Sequence, residues 1–240
     1  MKLKPMRAAF TIRSLTIVVM AVLVVGCSLT ARKSAPNPAA VPIPAEPVSV
    51  GQAYKVIAPE SLLTVRVYRG GTLARAGHNH LVASHDLAGT VYIAKDLARS
   101  TFELQVPVAA LTVDESELRA AEGADFAADV PDTAREGTRR NMLGPAVLDA
   151  ELYPQITLQS ESLDLAADPL IAHVQIRIRD QLRAVAVPLS FTLNAGELLV
   201  LGKLPLKQTD LGLAPFSALL GALQVQDEMQ LQFRIVARIQ

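Results

Sequence analysis

The 240-residue chain has no tryptophan, a single cysteine, four histidines and only 4% aromatic residues. One cysteine excludes an intramolecular disulfide. It also excludes a Cys/His nucleophilic pair if Cys27 serves as an anchor, as argued below. No Gly-x-Ser-x-Gly elbow and no glycine-rich phosphate loop is present, which removes the common hydrolase and nucleotide-binding signatures. Net charge is zero, but Lys2, Lys4, Arg7 and Arg13 stand at the extreme N-terminus. Without them 19 basic residues face 23 acidic ones, a balance of about −4. No basic excess then remains to neutralise phosphates, so nucleic acid is not expected as a partner.

What the chain has in quantity is apolar surface, at 50% of residues. The first apolar run, Leu15 to Val25, follows the basic N-terminus. It falls short of the roughly 20 residues that span a bilayer and fits a signal-peptide core. Val24-Val25-Gly26-Cys27 then resembles a bacterial lipoprotein cleavage site, with a diacylglycerol carried on the Cys27 thiol. Residues 1–26 are read as a signal peptide of that type. Residues 27–52 are a linker, since Pro36, Pro38, Pro42, Pro44 and Pro47 favour extended backbone and cannot join a central sheet. The expected location is the bacterial cell envelope, lipid-anchored through Cys27 in the outer membrane and facing the periplasm.

Residues 53–240 read as one β-rich domain. Leu63, Val65 and Val67 alternate with Thr64, Arg66 and Tyr68, the pattern of a half-buried strand. Similar alternation places Phe102, Leu104 and Val106 on one face, then Val174, Ile176 and Ile178. It continues with Val185, Val187, Leu189, Phe191 and Leu193, and ends with Leu231, Phe233, Ile235, Ala237 and Ile239. Eight or nine strands with hairpin-sized gaps predict an all-β barrel or sandwich. One helical insertion interrupts them. Asp114 is expected to cap a first helix ending near Gly123, and a second is expected over 132–143, stopped by Gly144-Pro145. Asp114, Glu115, Glu117 and Glu122 are read as a solvated acidic face, and Arg135, Arg139 and Arg140 as a small basic one.

Three of the four histidines lie in one stretch, His78, His80 and His85. On a strand His78 and His80 would share a side, with His85 returning across a turn, a spacing open to a metal-dependent hydrolase. The alternative is that they line the mouth of a cavity. A barrel of about eight strands can enclose one small ligand, and an interior of Val, Leu and Ile suits a hydrocarbon chain. The same residues could instead form a solid core in a structural envelope lipoprotein. Candidate ligand-binding residues are His78, His80, Phe102, Leu104, Ile176, Ile178, Phe191, Phe233 and Ile235. No catalytic or metal-binding residue is assigned.

The order of features resembles the YceI-like family of secreted bacterial lipid- or polyisoprenoid-binding proteins. The matching pieces are Ser61 to Val67, Gly77-His78-Asn79-His80-Leu81-Val82, Leu87 to Val91, Leu148 to Ser160 and Lys207-Gln208-Thr209-Asp210-Leu211-Gly212-Leu213, followed by the amphipathic last strand. The resemblance covers about residues 53–239. It implies a lipocalin-like antiparallel β-barrel with a short helical insertion, an elongated apolar pocket for an isoprenoid or other lipid, no cofactor and no catalytic activity. Membrane attachment through lipidated Cys27 and self-association as a homodimer complete the expected partners.

Overall fold

A computed structural model describes residues 51–239. The signal peptide, Cys27 and almost all of the linker lie outside the described residues. Strands β1 (Gln52–Val56), β2 (Leu62–Gly70), β3 (His80–Ser84), β4 (Ala88–Ile93), β5 (Thr101–Pro107) and β6 (Thr112–Val113) precede two helices, α1 (Ser116–Ala120) and α2 (Asp132–Leu143). Strands β7 (Gln155–Asp164), β8 (Leu170–Ile178), β9 (Gln181–Asn194), β10 (Glu197–Lys207), β11 (Ser217–Ala218) and β12 (Leu223–Ile239) follow. Every pairing is antiparallel, and β1 closes the ring by bonding both β4 and β12. The result is a closed, lipocalin-like eight-stranded barrel, all-β apart from the helical insertion. Among the described residues closure pairs the longer strands on both sides, while the two-residue β6 bonds β3 alone.

Three of the eight staves are bent. β1 continues into β2, β3 into β4 and β5 into β6, each across a short break. Strand β12 spans the first break by pairing with β1 at Ala237 to Ile239 and with β2 at Gln224 to Arg234. Ser61 holds that bend from inside. Its hydroxyl donates to the Ile57 carbonyl at 2.9 Å and accepts from the Val236 N–H at 3.0 Å. These bends set the two ends apart. The β4–β5, β7–β8 and β9–β10 turns form the hairpin end, and the insertion with the β2–β3 loop and residues 208–222 forms the helical end.

The alternating faces fold as the sequence predicts. Leu104, Val106, Val174, Ile176, Ile178, Leu198, Leu206 and Ile235 are buried in one core, where each apolar side chain contributes roughly 1.5–3 kcal/mol. Leu193 and Ile239 depart from this, at 40% and 47% exposed. Their strands run past the barrel rim, where alternation no longer means burial.

The insertion corrects two expectations. Asp114 does not cap α1; Glu115 takes that position without a side-chain bond, and Gly123 starts the next turn at φ 84°. Nor is the acidic group a solvated face. Asp114 is 1% exposed, and Glu122 accepts from Arg66 of β2, with Nη2 to Oε1 at 2.7 Å. Two of the three arginines of α2 are likewise tied down, while Arg140 stays exposed. Arg139 Nε donates to the Leu111 carbonyl at 3.1 Å and Arg135 Nη1 to the Asp114 carbonyl at 3.2 Å, which docks the helix beside β6.

Candidate functional site

Two cavities lie along the barrel. The first, about 160 Å³, is lined by Phe102, Leu104, Ile176, Phe191, Phe233 and Ile235 with further Leu, Val and Ile side chains. Its polar lining residues are Ser100 and Thr101. Ser100 Oγ accepts from the Ala94 N–H at 3.1 Å. Thr101 Oγ1 is buried and has no hydrogen-bond partner among the described residues. It is therefore the uncommitted hydrogen-bonding group of an otherwise hydrocarbon wall. Leu97 and Leu165 extend the lining to the hairpin end.

Gly202 shapes this cavity. It occupies an inward position of β10, between the inward Val200 and Leu204, where a large residue would be expected from the alternation. A β-carbon there would lie 2.2 Å from Phe233 Cζ. The missing side chain is the space into which the Phe233 ring folds.

The second cavity, about 230 Å³, lies at the helical end. Val67, Val82, Met142, Phe216 and Leu223 line it together with His78, His80, Thr138, Asn141 and Gln208. It is the more polar of the two. His80 is fixed by a buried hub. Its Nδ1 lies 2.6 Å from Asp114 Oδ2, while Asp114 Oδ1 accepts from the Leu81 N–H at 2.8 Å and from Arg119 Nη1 at 2.6 Å. Arg119, 6% exposed, also donates to the carbonyls of Asn79, Phe126 and Ala128. Burial by itself would raise the Asp114 carboxyl. The opposing bonds from His80, the Leu81 N–H and Arg119 hold it below the usual carboxylate range. An ionised carboxylate only accepts, so the proton between them sits on His80 Nδ1. The Nε2 edge is thereby turned toward Thr138 Oγ1 at 3.5 Å. When neutral, that nitrogen can accept a bond from a ligand hydroxyl; when protonated, it can donate to an anion.

The three histidines are not assembled as one metal triad. His78 packs against His80 with ring centroids 6.4 Å apart, whereas His85 Nε2 faces the Glu115 carboxylate at 3.0 Å. Among the described residues no group of three His, Cys, Asp or Glu side chains is placed to hold a metal ion. Of the candidate ligand-binding residues, Phe102, Leu104, Ile176, Phe191, Phe233 and Ile235 line the first cavity, and His78 and His80 line the second. Ile178 lines neither and is buried in the core at 4% exposure. Sequence reasoning missed Thr101, Gly202 and the Asp114–Arg119 hub. Only Gly202 leaves a signal, as a gap in the inward series of β10.

A closed antiparallel barrel with an apolar interior defines a class of hydrophobic-ligand-binding folds. Within that class, residues 70–237 match the YceI-like domain, and the chain belongs to that family. Among solved structures it is similar to BcnA of Burkholderia cenocepacia, at 17% identity and TM-score 0.55 over 75% of this chain and 98% of that one. It is also similar to a polyisoprenoid binding domain from Saccharophagus degradans implicated in plant cell wall breakdown. That likeness has 14% identity and TM-score 0.52, over 79% of this chain and 99% of the other. No curated protein matches the chain significantly.

Proposed function

We propose that this protein binds a long hydrophobic chain, an isoprenoid or another lipid, inside its barrel without transforming it. The observation that carries the reading is the wall of the first cavity, hydrocarbon throughout except for Ser100 and Thr101. Each methylene buried there contributes about 0.8 kcal/mol, so a few isoprene units supply useful affinity without any charged contact. The family and the polyisoprenoid-binding neighbour support the same ligand class. In this reading the protein is a lipoprotein, held at the bacterial envelope by acylated Cys27 and facing the periplasm.

The cavity volume sets a condition. At about 160 Å³ it compares with an engineered cavity of roughly 150 Å³ that takes benzene. A chain of several isoprene units needs more room, so wall side chains such as Phe233 and Phe191 must change rotamer as it enters. The same modest volume favours a second reading, a packed barrel in a structural envelope lipoprotein. Titration with isoprenols of increasing length separates them. A carrier shows affinity that rises with chain length and then levels off. A packed barrel shows no saturable binding at any length.

A further inference from the structure

We propose that the helical end of the barrel is a membrane-docking tip, in which Leu73, Leu219 and Leu220, flanked by Arg69 and Arg75, seat on an anionic bilayer surface. The three leucines are 46%, 67% and 109% exposed. Single exposed leucines are ordinary, but these come from two loops locked together. The Leu73 N–H donates to the Ala222 carbonyl at 2.8 Å. Gly71, at φ 85°, lies so close that a β-carbon on it would be 2.5 Å from the Ala222 oxygen. Leu219 and Leu220 also hold left-handed backbone, at φ 50° and 56°. Bulky L-residues rarely adopt that region, and a turn alone would be better served by Gly or Asn. Here it projects two consecutive large apolar side chains outward from one turn.

Charge singles out the two loops that carry these leucines, since the neighbouring insertion is acidic on balance. Residues 69–81 and 211–226 contain Arg69 and Arg75 and no Asp or Glu. Neither arginine pairs with a carboxylate among the described residues. The hairpin end also exposes leucines, Leu97, Leu165 and Leu193, but there Lys95 and Arg99 are outnumbered by Asp96, Asp164, Asp168 and Glu197. An anionic lipid surface therefore attracts the two arginine-bearing loops more than the mixed charges of the hairpin end. The tip also borders the second cavity, whose lining includes Gly77 and Leu223. A lipid chain leaving the bilayer there would arrive beside His78 and His80. If Cys27 is the anchor, the 24 residues 28–51 reach at most about 80 Å. The 17 residues of β12 run about 55 Å. The tether enters at the hairpin end and is long enough to let the opposite end face the membrane.

The chain has no tryptophan, so Leu220→Trp places a sole reporter at the tip, and Leu193→Trp a control at the opposite end. Each full-length variant is reconstituted in phosphatidylcholine vesicles containing phosphatidylglycerol, with brominated acyl chains as quencher. The proposal expects a blue-shifted emission and several-fold stronger quenching for Leu220→Trp than for Leu193→Trp. Introducing Arg75→Glu into the Leu220→Trp chain should reduce that quenching. Equal quenching at both positions, or tip emission unchanged by vesicles, would overturn the proposal. Quenching unaffected by Arg75→Glu and undiminished in pure phosphatidylcholine would overturn the choice of an anionic surface.

Discussion

Gly202 and Phe233 are Cα partners across β10 and β12, and the phenylalanine ring lies where a β-carbon of residue 202 would be. The cavity wall therefore depends on an absent side chain. Gly202→Val should drive the Phe233 ring into the cavity and cost about 1–3 kcal/mol through overpacking. Urea unfolding reads the cost, and isoprenol titration should show affinity falling by at least about tenfold, an effect of about 1.4 kcal/mol. A variant that binds as tightly as the parent would place the ligand elsewhere.

Phe233→Ala tests the wall from the other side. Removing a core phenylalanine typically costs 3–5 kcal/mol. The enlarged cavity should at the same time move the preferred chain length upward. Stability and length preference changing together would assign Phe233 to the wall of the binding site, whereas a stability loss with unchanged preference would leave it as packing.

Asp114 links stability to pH. Its folded-state pKa is depressed, so its contribution is fully present above the unfolded value of about 3.9 and is lost as pH falls through the lower folded value. Denaturation of the parent followed by circular dichroism should steepen below about pH 4. Asp114→Asn should be less stable at neutral pH by about 3–5 kcal/mol, because Arg119 is left buried without its carboxylate. Its stability should also fall less steeply with acid than that of the parent.

Thr101 carries a buried hydroxyl on the cavity wall with no hydrogen-bond partner among the described residues. Thr101→Val should leave stability unchanged or raise it by up to about 1 kcal/mol, since an unsatisfied polar group is replaced by an apolar one. If a ligand alcohol bonds this hydroxyl, the preference for an isoprenol over the matching hydrocarbon should fall by up to about tenfold, in keeping with a net hydrogen bond of about 1 kcal/mol. An unchanged preference would assign the polar terminus to the His80 end.

The barrel was legible because its strands are amphipathic with period two. Phe102, Leu104, Ile176 and Phe233 stand on predicted inward faces and line the cavity. The insertion was legible as helix but not as chemistry. Asp114 followed three residues later by Glu117 reads as a capping signal, yet partners outside the capping pattern, distant and near, decide its role. His80 lies 34 residues away in sequence and Arg119 is supplied by α1 itself. The histidines were legible as cavity-lining candidates but not in their bonding, for a related reason. Spacing puts His78 and His80 near each other, but each ring takes its role from its bonded neighbour, Asp114 for His80 and Glu115 for His85. Ile178 shows the limit of alternation, which reports burial without distinguishing a cavity wall from solid core.

The central claim is that the barrel holds a lipid chain. Native mass spectrometry of the protein purified from a bacterial host, paired with organic extraction of the same sample, tests it most directly. The account predicts a co-purifying isoprenoid or acyl chain, seen as added mass and identified in the extract, and reduced in Gly202→Val. A protein mass without adduct that stays unchanged on adding long-chain isoprenoids would contradict it and leave the packed-barrel lipoprotein as the reading.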